Sequence, residues 1–111
     1  MIVKRGDLVT VAVSGDYGKP RPALIIQADD FDSIPSITIA PLTSDIYDAP
    51  LIRISVQPSA GSGLRRLSQV MVDKITTIPR SKLGERIGSL DSRTLRAVNH
   101  AITGFLDLGQ L

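Results

Sequence analysis

A stiff, proline-rich turn runs straight into an apolar stretch at Lys19-Pro20-Arg21-Pro22-Ala23-Leu24-Ile25-Ile26. The apolar residues do not alternate with polar ones, which predicts a buried strand over residues 23–27. The prolines fix φ on either side of Arg21, so the turn presents its guanidinium from a stiffened backbone. A permanently charged fork of five donors suits a phosphate or a carboxylate. Position alone favours a simpler interpretation, a solvated arginine at the mouth of a strand.

Short strands are predicted on both sides of this one. Residues 8–13 alternate, with Val9, Val11 and Val13 on one face, and residues 51–57 alternate as well. Loops rich in glycine and proline separate the segments. The remaining predicted strands cover residues 36–42, 67–72, 75–78 and 86–89.

One helix is predicted, near the C-terminal end of the chain. Asp91 is a good N-cap residue, and Leu90 and Leu95 occupy the two positions of a hydrophobic staple. The helix is predicted to stop near Gly109. Its apolar stripe repeats at helical spacing and comprises Leu95, Val98, Ile102, Phe105 and Leu106. Five to seven short strands with one packing helix indicate a mainly β (α+β) fold, built as a small, strongly bent barrel.

The composition narrows the possible functions. A chain of 111 residues predicts a single domain over residues 1–111. Because it has no cysteine and one histidine, thiolate chemistry is excluded and a histidine-based metal centre or triad is implausible, so we expect no metal and no cofactor. The net charge of +2 permits binding to a polyanion without requiring it. With no signal-like N-terminus and no apolar run of about 20 residues, we expect a cytoplasmic protein without membrane contact.

Five short motifs follow one another in a fixed order. They are Arg5-Gly6-Asp7-Leu8-Val9, Gly18-Lys19-Pro20-Arg21-Pro22-Ala23, Ile39-Ala40-Pro41-Leu42-Thr43-Ser44, Ser68-Gln69-Val70-Met71-Val72-Asp73-Lys74-Ile75 and Ile87-Gly88-Ser89-Leu90-Asp91. Each is weak alone, but the series, over about residues 3–108, resembles the MazF/PemK/Kid toxins of bacterial type II toxin–antitoxin modules. The resemblance implies an SH3-like barrel of the CcdB/PemK type with a C-terminal helix, assembled as a homodimer.

The resemblance also implies an activity. Proteins of this family are mRNA interferases, sequence-specific endoribonucleases that cleave single-stranded RNA without a metal. The 2′-hydroxyl attacks the phosphate and leaves a 2′,3′-cyclic phosphate and a 5′-hydroxyl. A cognate MazE-like antitoxin neutralises the toxin and forms a DNA-binding complex with it. Because RNA supplies its own nucleophile, such an enzyme needs mainly positioning, charge stabilisation and proton transfer.

Two residues match the catalytic residues of the family. Arg21 is expected to stabilise the charged phosphate in the transition state, and Thr43 to donate a hydrogen bond to a nonbridging oxygen. Alternatively, Thr43 is a strand-terminating hydroxyl that satisfies nearby backbone. Asp16, in the loop before Arg21, is the best-placed carboxylate to accept a proton, or else an ordinary turn aspartate.

A larger group of residues is expected to bind RNA. Arg53, Arg65 and Arg66 are expected on or near exposed strand edges, where they form with Lys19 a basic patch that contacts the RNA phosphates. Each of these residues alone is also typical of a solvated surface charge. Tyr17 is either a stacking surface for a base or a loop residue that caps the barrel. The RNA-binding candidates are Tyr17, Lys19, Ser44, Arg53, Arg66, Ser68 and Gln69.

One stretch departs from the pattern of the family. Some members have Arg-x-Asp-Gln where this chain has Arg66-Leu67-Ser68-Gln69. Ser68 replaces the aspartate, so it can only donate or accept a hydrogen bond and cannot serve in an aspartate-based acid–base pair. Gln69 is expected to bind RNA or to secure the barrel.

Two other functions compete with RNA cleavage. Toxins of the CcdB type use a related barrel to bind DNA gyrase, and they depend on a tryptophan at the end of the last helix. This chain has no tryptophan, which counts against that interpretation. A catalytically silent barrel that serves as a binding module is favoured only by Ser68, while Arg21 and Thr43 argue against it.

Overall fold

The strands form one strongly bent antiparallel sheet with a single α-helix packed on it. The computed structural model describes residues 2–12 and 19–109. Short 3-10 helices lie at Asp29–Phe31, Val72–Lys74 and Arg80–Lys82. The strands are β1 Asp7–Ala12, β2 Pro20–Ile25, β3 Ser36–Thr43, β4 Arg53–Val56, β5 Ser68–Met71, β6 Thr76–Pro79 and β7 Leu83–Ser89, followed by helix α1, Ser92–Phe105.

Strand β3 is the centre of the sheet. Its first half pairs with β6 and its last two residues pair with β5, while β2 pairs with its middle on the other side. The strand order is β4-β5-β3-β2-β1-β7. Because β3 changes its neighbour from β6 to β5 along its length, the sheet bends at this strand. The strongly bent sheet was predicted from the sequence.

The sheet is not a closed barrel. Within residues 2–12 and 19–109 no ladder joins β7 to β4, so both remain edge strands. The loop after β4 crosses the gap: the backbone N–H of Ser89 donates to the carbonyl of Gly61 at 2.9 Å. Gly63 has φ +71°, and a Cβ there would overlap the carbonyl of Ile87. A glycine is therefore required where this loop meets β7.

Both faces of the sheet are apolar. The helix covers one face, where buried Val98 packs with the first of two core clusters. The second cluster lies on the other face, inside the bend. The first cluster contains Leu8, Leu24, Ala40, Leu42, Val56, Val70, Val72, Leu90, Val98 and Ala101, and the second contains Val3, Val9, Val11, Ala23, Ile25, Ile37 and Ile39. Odd-numbered and even-numbered residues of β2 thus enter different clusters, which confirms a strand buried on both faces.

The expected start of β2 was wrong by three residues. The strand begins at Pro20 rather than Ala23, so Arg21 lies in a strand and not in a turn. Both prolines are tolerated because this part of β2 pairs only with β1, while the ladder to β3 starts at Ala23. Proline is compatible with a strand that has one neighbour, since it has no N–H to donate to a second.

The start of the helix is confirmed and its end differs. The Asp91 side chain accepts a hydrogen bond from the Thr94 N–H at 2.7 Å, as an N-cap does. The helix ends at Phe105, earlier than the expected stop at Gly109. Asp107 takes the left-handed conformation, φ 56°, and the Leu108 N–H closes on the carbonyl of Thr103 at 2.9 Å. Asp107 takes the position that glycine usually occupies in such a turn. Because the prediction relied on a glycine, it placed the end of the helix too late in the sequence. None of the described helices is long and apolar enough to cross a membrane.

Candidate active site

The ends of β2 and β3 bring the two predicted catalytic residues together. The β2–β3 ladder ends with Ala23 opposite Pro41, and Arg21 and Thr43, each two residues beyond that pair, both line the same cleft. Arg21 and Thr43, 22 positions apart in the sequence, therefore belong to one site.

Thr43 is part of a row that continues into the next strands. Thr43 lies opposite Gln69 on β5, and Gln69 lies opposite Ser55 on β4. On the other side Arg21 lies opposite Val11. This row of polar side chains stands on the face that the helix does not cover, at the rim of the second core cluster.

Arg21 and Pro22 line two neighbouring hollows. The larger is a cleft of about 480 Å³ that also contains Thr43, Asp45 and Met71, with an apolar floor from the second core cluster. The smaller, about 240 Å³, has Arg65 and Arg66 in its wall and none of the described residues lining it is acidic. Two serines, Ser44 and Ser68, complete it. Three arginines and two hydroxyls in one pocket suit an anionic group.

The Thr43 hydroxyl accepts one local hydrogen bond and keeps its own proton available to donate. Its oxygen accepts the backbone N–H of Asp45 at 3.0 Å, so the alternative of a hydroxyl that satisfies nearby backbone is correct for the oxygen. A hydroxyl has one proton of its own to donate. The bond to Asp45 fixes the oxygen and leaves that proton for a ligand in the cleft.

The expectation that Arg53 lies on an exposed strand edge was wrong. Its residue is 6% exposed, and its guanidinium binds the Asp73 carboxylate through two hydrogen bonds of 2.9 and 3.1 Å. It also stacks under the ring of Tyr47, 4.5 Å from the ring centroid. The hydrogen bond from Arg53 holds the pKa of Asp73 below its ordinary value, and the same bond raises the pKa of Arg53. The period-two alternation of β4 could not reveal that Arg53 is buried, because Tyr47 and Asp73 cover this part of the sheet face opposite the helix.

Ser68 and Gln69 are buried and serve local structure. The Ser68 hydroxyl donates to the carbonyl of Arg66 at 3.1 Å, at the wall of the arginine pocket. The Gln69 side-chain amide donates to the Tyr47 carbonyl at 3.0 Å and accepts the Tyr47 N–H at 3.3 Å. Of the two expectations for Gln69, these contacts correspond to securing the structure, because they attach the loop after β3 to strand β5.

The other predicted positions divide into two groups. Lys19, Ser44 and Arg66 are exposed near the site, which is compatible with contacts to a ligand. Asp16 and Tyr17 lie outside the described residues. Neither Tyr47 nor Asp73 is among the residues predicted from the sequence, because neither an exposed aromatic residue nor an aspartate 20 positions from its arginine forms a local pattern.

Two arginines outside the site, Arg80 and Arg86, are tied into the fold. Arg80 donates to the carbonyl of Ile34 at 2.6 Å, and Arg86 pairs with Asp7 at 3.1 Å. Both side chains therefore serve the structure and are not simply solvated charges. The three arginines that line the smaller pocket are Arg21, Arg65 and Arg66.

The fold and the site define a class of protein: a small β sheet with a helix packed on one face and with arginines and hydroxyls on its open side. The comparisons with known proteins agree. Residues 4–106 match the family model for the PemK-like, MazF-like toxin of type II toxin–antitoxin systems. The chain belongs to this family.

Individual relatives span nearly the whole chain. A probable endoribonuclease MazF from Mycolicibacterium smegmatis is 45% identical over 107 residues, covering 96% of this chain and 98% of the relative. The Bacillus subtilis endoribonuclease EndoA is 31% identical and covers 92% of each chain. The Mycobacterium tuberculosis toxin MazF-mt6 superimposes with a TM-score of 0.80 at 27% identity, over 94% of this chain and 99% of that one.

Proposed function

We propose that this protein is a sequence-specific endoribonuclease toxin that cleaves single-stranded RNA. The observation that carries the proposal is that Arg21 and Thr43 line one open cleft, and that Arg21 also lines the neighbouring arginine-rich pocket. Membership of the family and 45% identity to a probable endoribonuclease support it. The face is open, so a flexible strand can reach it where a rigid duplex has more difficulty.

The 2′-hydroxyl of the substrate serves as the nucleophile. Its oxygen loses its proton and forms a bond to phosphorus, and the bond from phosphorus to the 5′-oxygen breaks. The 5′-oxygen takes up a proton from solvent water, so the products are a 2′,3′-cyclic phosphate and a 5′-hydroxyl. Arg21 stabilises the charge that develops on the nonbridging oxygens, and Thr43 donates a hydrogen bond to one of them. Arg21 is a poor base at neutral pH. We assign proton acceptance to Asp16, a carboxylate that precedes β2 in the sequence.

The RNA strand runs past the scissile phosphate over the basic part of the face. Arg66, with Arg65 beside it, contacts a neighbouring phosphate in the smaller pocket, where Ser44 and Ser68 line the wall. Lys19 and Tyr17, which lie between β1 and β2 in the sequence, are further contacts to the RNA. Because the contacts to phosphate are ionic, binding weakens as salt concentration rises.

We further propose that residues 1–111 form a single toxin domain that acts in the cytoplasm as a homodimer without a cofactor. A MazE-like antitoxin neutralises it, and the pair binds DNA. A mycobacterial structure described as an endoribonuclease in complex with its cognate antitoxin has the same fold, with a TM-score of 0.82 at 21% identity. The comparisons support this function over gyrase binding of the CcdB type, since the family and the curated relatives are MazF-like.

Cleavage of a long single-stranded RNA in excess EDTA tests the proposal. We expect discrete cuts at one short sequence, with 5′-hydroxyl and cyclic phosphate ends, because neither the nucleophile nor the charge stabilisation comes from a metal. Primer extension locates the cuts, and kinase labelling without prior phosphatase treatment identifies 5′-hydroxyl ends. Absence of cleavage across varied RNAs by folded, antitoxin-free protein would reject the function.

The Thr43 hydroxyl can be tested by near-isosteric replacement. We expect Thr43→Val to lower kcat by about 10²-fold, a typical effect of losing one donor to a developing oxyanion. Thr43→Ser keeps the donor and should retain most of the activity. Single-turnover rates on one short substrate measure both. Equal rates for Thr43→Val and the wild type would mean that the hydroxyl serves the Asp45 backbone alone.

A further inference from the structure

A small network holds Tyr47 in place beside the candidate site. The Gln69 side chain binds both backbone polar groups of Tyr47, at 3.0 and 3.3 Å. Gln69 lies directly opposite Thr43 in the β3–β5 ladder. The loop that carries Tyr47 is therefore fastened to the strand position next to the catalytic hydroxyl.

The Tyr47 ring is supported from below. The Arg53 guanidinium lies 4.5 Å from its centroid, and Arg53 is itself held by two hydrogen bonds to Asp73. Stacking of a guanidinium on an aromatic face is favourable, and the ion pair with Asp73 prevents the arginine from turning away. The three residues form a stack that runs from the 3-10 helix at Val72–Lys74 to the surface.

The other side of the ring is open. Tyr47 is 55% exposed although the guanidinium covers one of its faces, so the exposed area is the opposite face and the rim. A large aromatic surface that is both exposed and held rigid loses little conformational entropy when a flat ligand stacks on it. Unpaired bases of single-stranded RNA are flat ligands that stack on aromatic side chains.

We propose that Tyr47 is a base-stacking platform of the active site. It receives an unpaired base of the RNA strand close to the scissile phosphate, while Gln69, Arg53 and Asp73 act as positioning residues that hold the platform. The inference rests on the proposed ribonuclease function and adds a binding residue to it. Stacking fixes where the strand lies without reading the base identity, because every base has a π face.

Substitution of Tyr47 tests the platform. Gln69 binds backbone atoms, so Tyr47→Ala keeps the loop fastened and removes only the ring. We expect Tyr47→Ala to raise KM for RNA by roughly 5- to 150-fold, the usual cost of one lost base–aromatic stack. Tyr47→Phe should stay within about 2-fold of the wild type, because it keeps the π face.

Phe31 provides a matched control. It is 57% exposed, but it lies in the 3-10 helix Asp29–Phe31, before β3 begins, while Thr43 ends that strand. An eight-residue strand is about 23 Å long, so Phe31 is remote from the site. Phe31→Ala should leave KM unchanged.

A fluorescent base gives a direct signature. An oligonucleotide with 2-aminopurine beside the cut position, and with deoxyribose at that position to prevent cleavage, should lose fluorescence on binding to the wild type and to Tyr47→Phe. We expect no such quenching with Tyr47→Ala. Unchanged KM and unchanged quenching in Tyr47→Ala would overturn the inference. So would a Tyr47→Ala variant that loses only self-association in sedimentation, which would make the ring a protein contact. A wild-type protein that cleaves no RNA would instead overturn the proposed function.

Discussion

Replacing Arg21 by alanine is expected to lower kcat for RNA cleavage by about 10³-fold while leaving the fold intact. The loss of one preorganised donor to a developing oxyanion typically costs about 10²- to 10³-fold. We expect a rate loss at the upper end of this range for Arg21, because its side chain carries a full charge and presents two N–H groups to the phosphate. Its side chain is exposed at the end of β2, so removal leaves no cavity in the core.

Arg21→Lys distinguishes charge from geometry. Lysine keeps the charge as a compact ammonium but lacks the planar fork, so we expect it to recover only a small part of the lost rate. Arg96→Ala is the matched control, since Arg96 is an exposed arginine on helix α1, across the sheet from the site. Single-turnover cleavage of one substrate, with circular dichroism and thermal unfolding on each variant, makes the measurement. Wild-type activity in Arg21→Ala would remove Arg21 from the mechanism.

Breaking the Arg53–Asp73 pair is expected to cause a large loss of stability. Arg53→Met keeps the volume of the side chain but leaves the partly covered Asp73 carboxylate without its partner. We expect the free energy of unfolding to fall by about 3 kcal/mol, since removing one member of a buried pair costs about 3–5 kcal/mol. Asp73 retains 21% exposure, which places the effect at the lower end of that range. Urea denaturation at pH 7 measures it.

The double variant Arg53→Met/Asp73→Leu distinguishes the cost of leaving one charge unpaired from the cost of losing the ion pair itself. Replacing both charges by apolar groups is often neutral, so we expect it to unfold within about 1 kcal/mol of the wild type. An additive loss in the double variant would show that packing around Tyr47, and not the charge, carries the effect.

The pH dependence of this pair has a definite sign. The pKa of Asp73 is lowered in the folded state by its hydrogen bond to Arg53, relative to an ordinary value of 3.8. The pair therefore stabilises the fold fully above the pKa of the unfolded state, and this contribution is lost as pH falls through the lower, folded value. The stability difference between the wild type and Arg53→Met should accordingly be largest at pH 7 and should shrink in strong acid. A difference that grows toward low pH would contradict the assignment.

Local signals in the sequence determined most of the elements and the choice of Arg21 and Thr43 as the proposed catalytic pair. Alternation over residues 8–13, the cap at Asp91 and the apolar stripe of the helix depend on neighbours within a few positions. Arg21 and Thr43 were recognisable because short motifs of the family surround them. These features follow from backbone periodicity and capping, which the sequence expresses directly.

Tertiary structure alone decided the rest. The β2–β3 ladder ends at Ala23 and Pro41, which brings Arg21 and Thr43 to one cleft and leaves the two prolines of β2 where that strand has only one neighbour. The alternation of β4 predicted an exposed Arg53, yet this side chain is buried with its partner Asp73, 20 positions away in the sequence. Gln69 likewise holds the loop at Tyr47, 22 positions away. Such contacts depend on how the sheet bends, and no local periodicity encodes which distant side chains a bent sheet brings together.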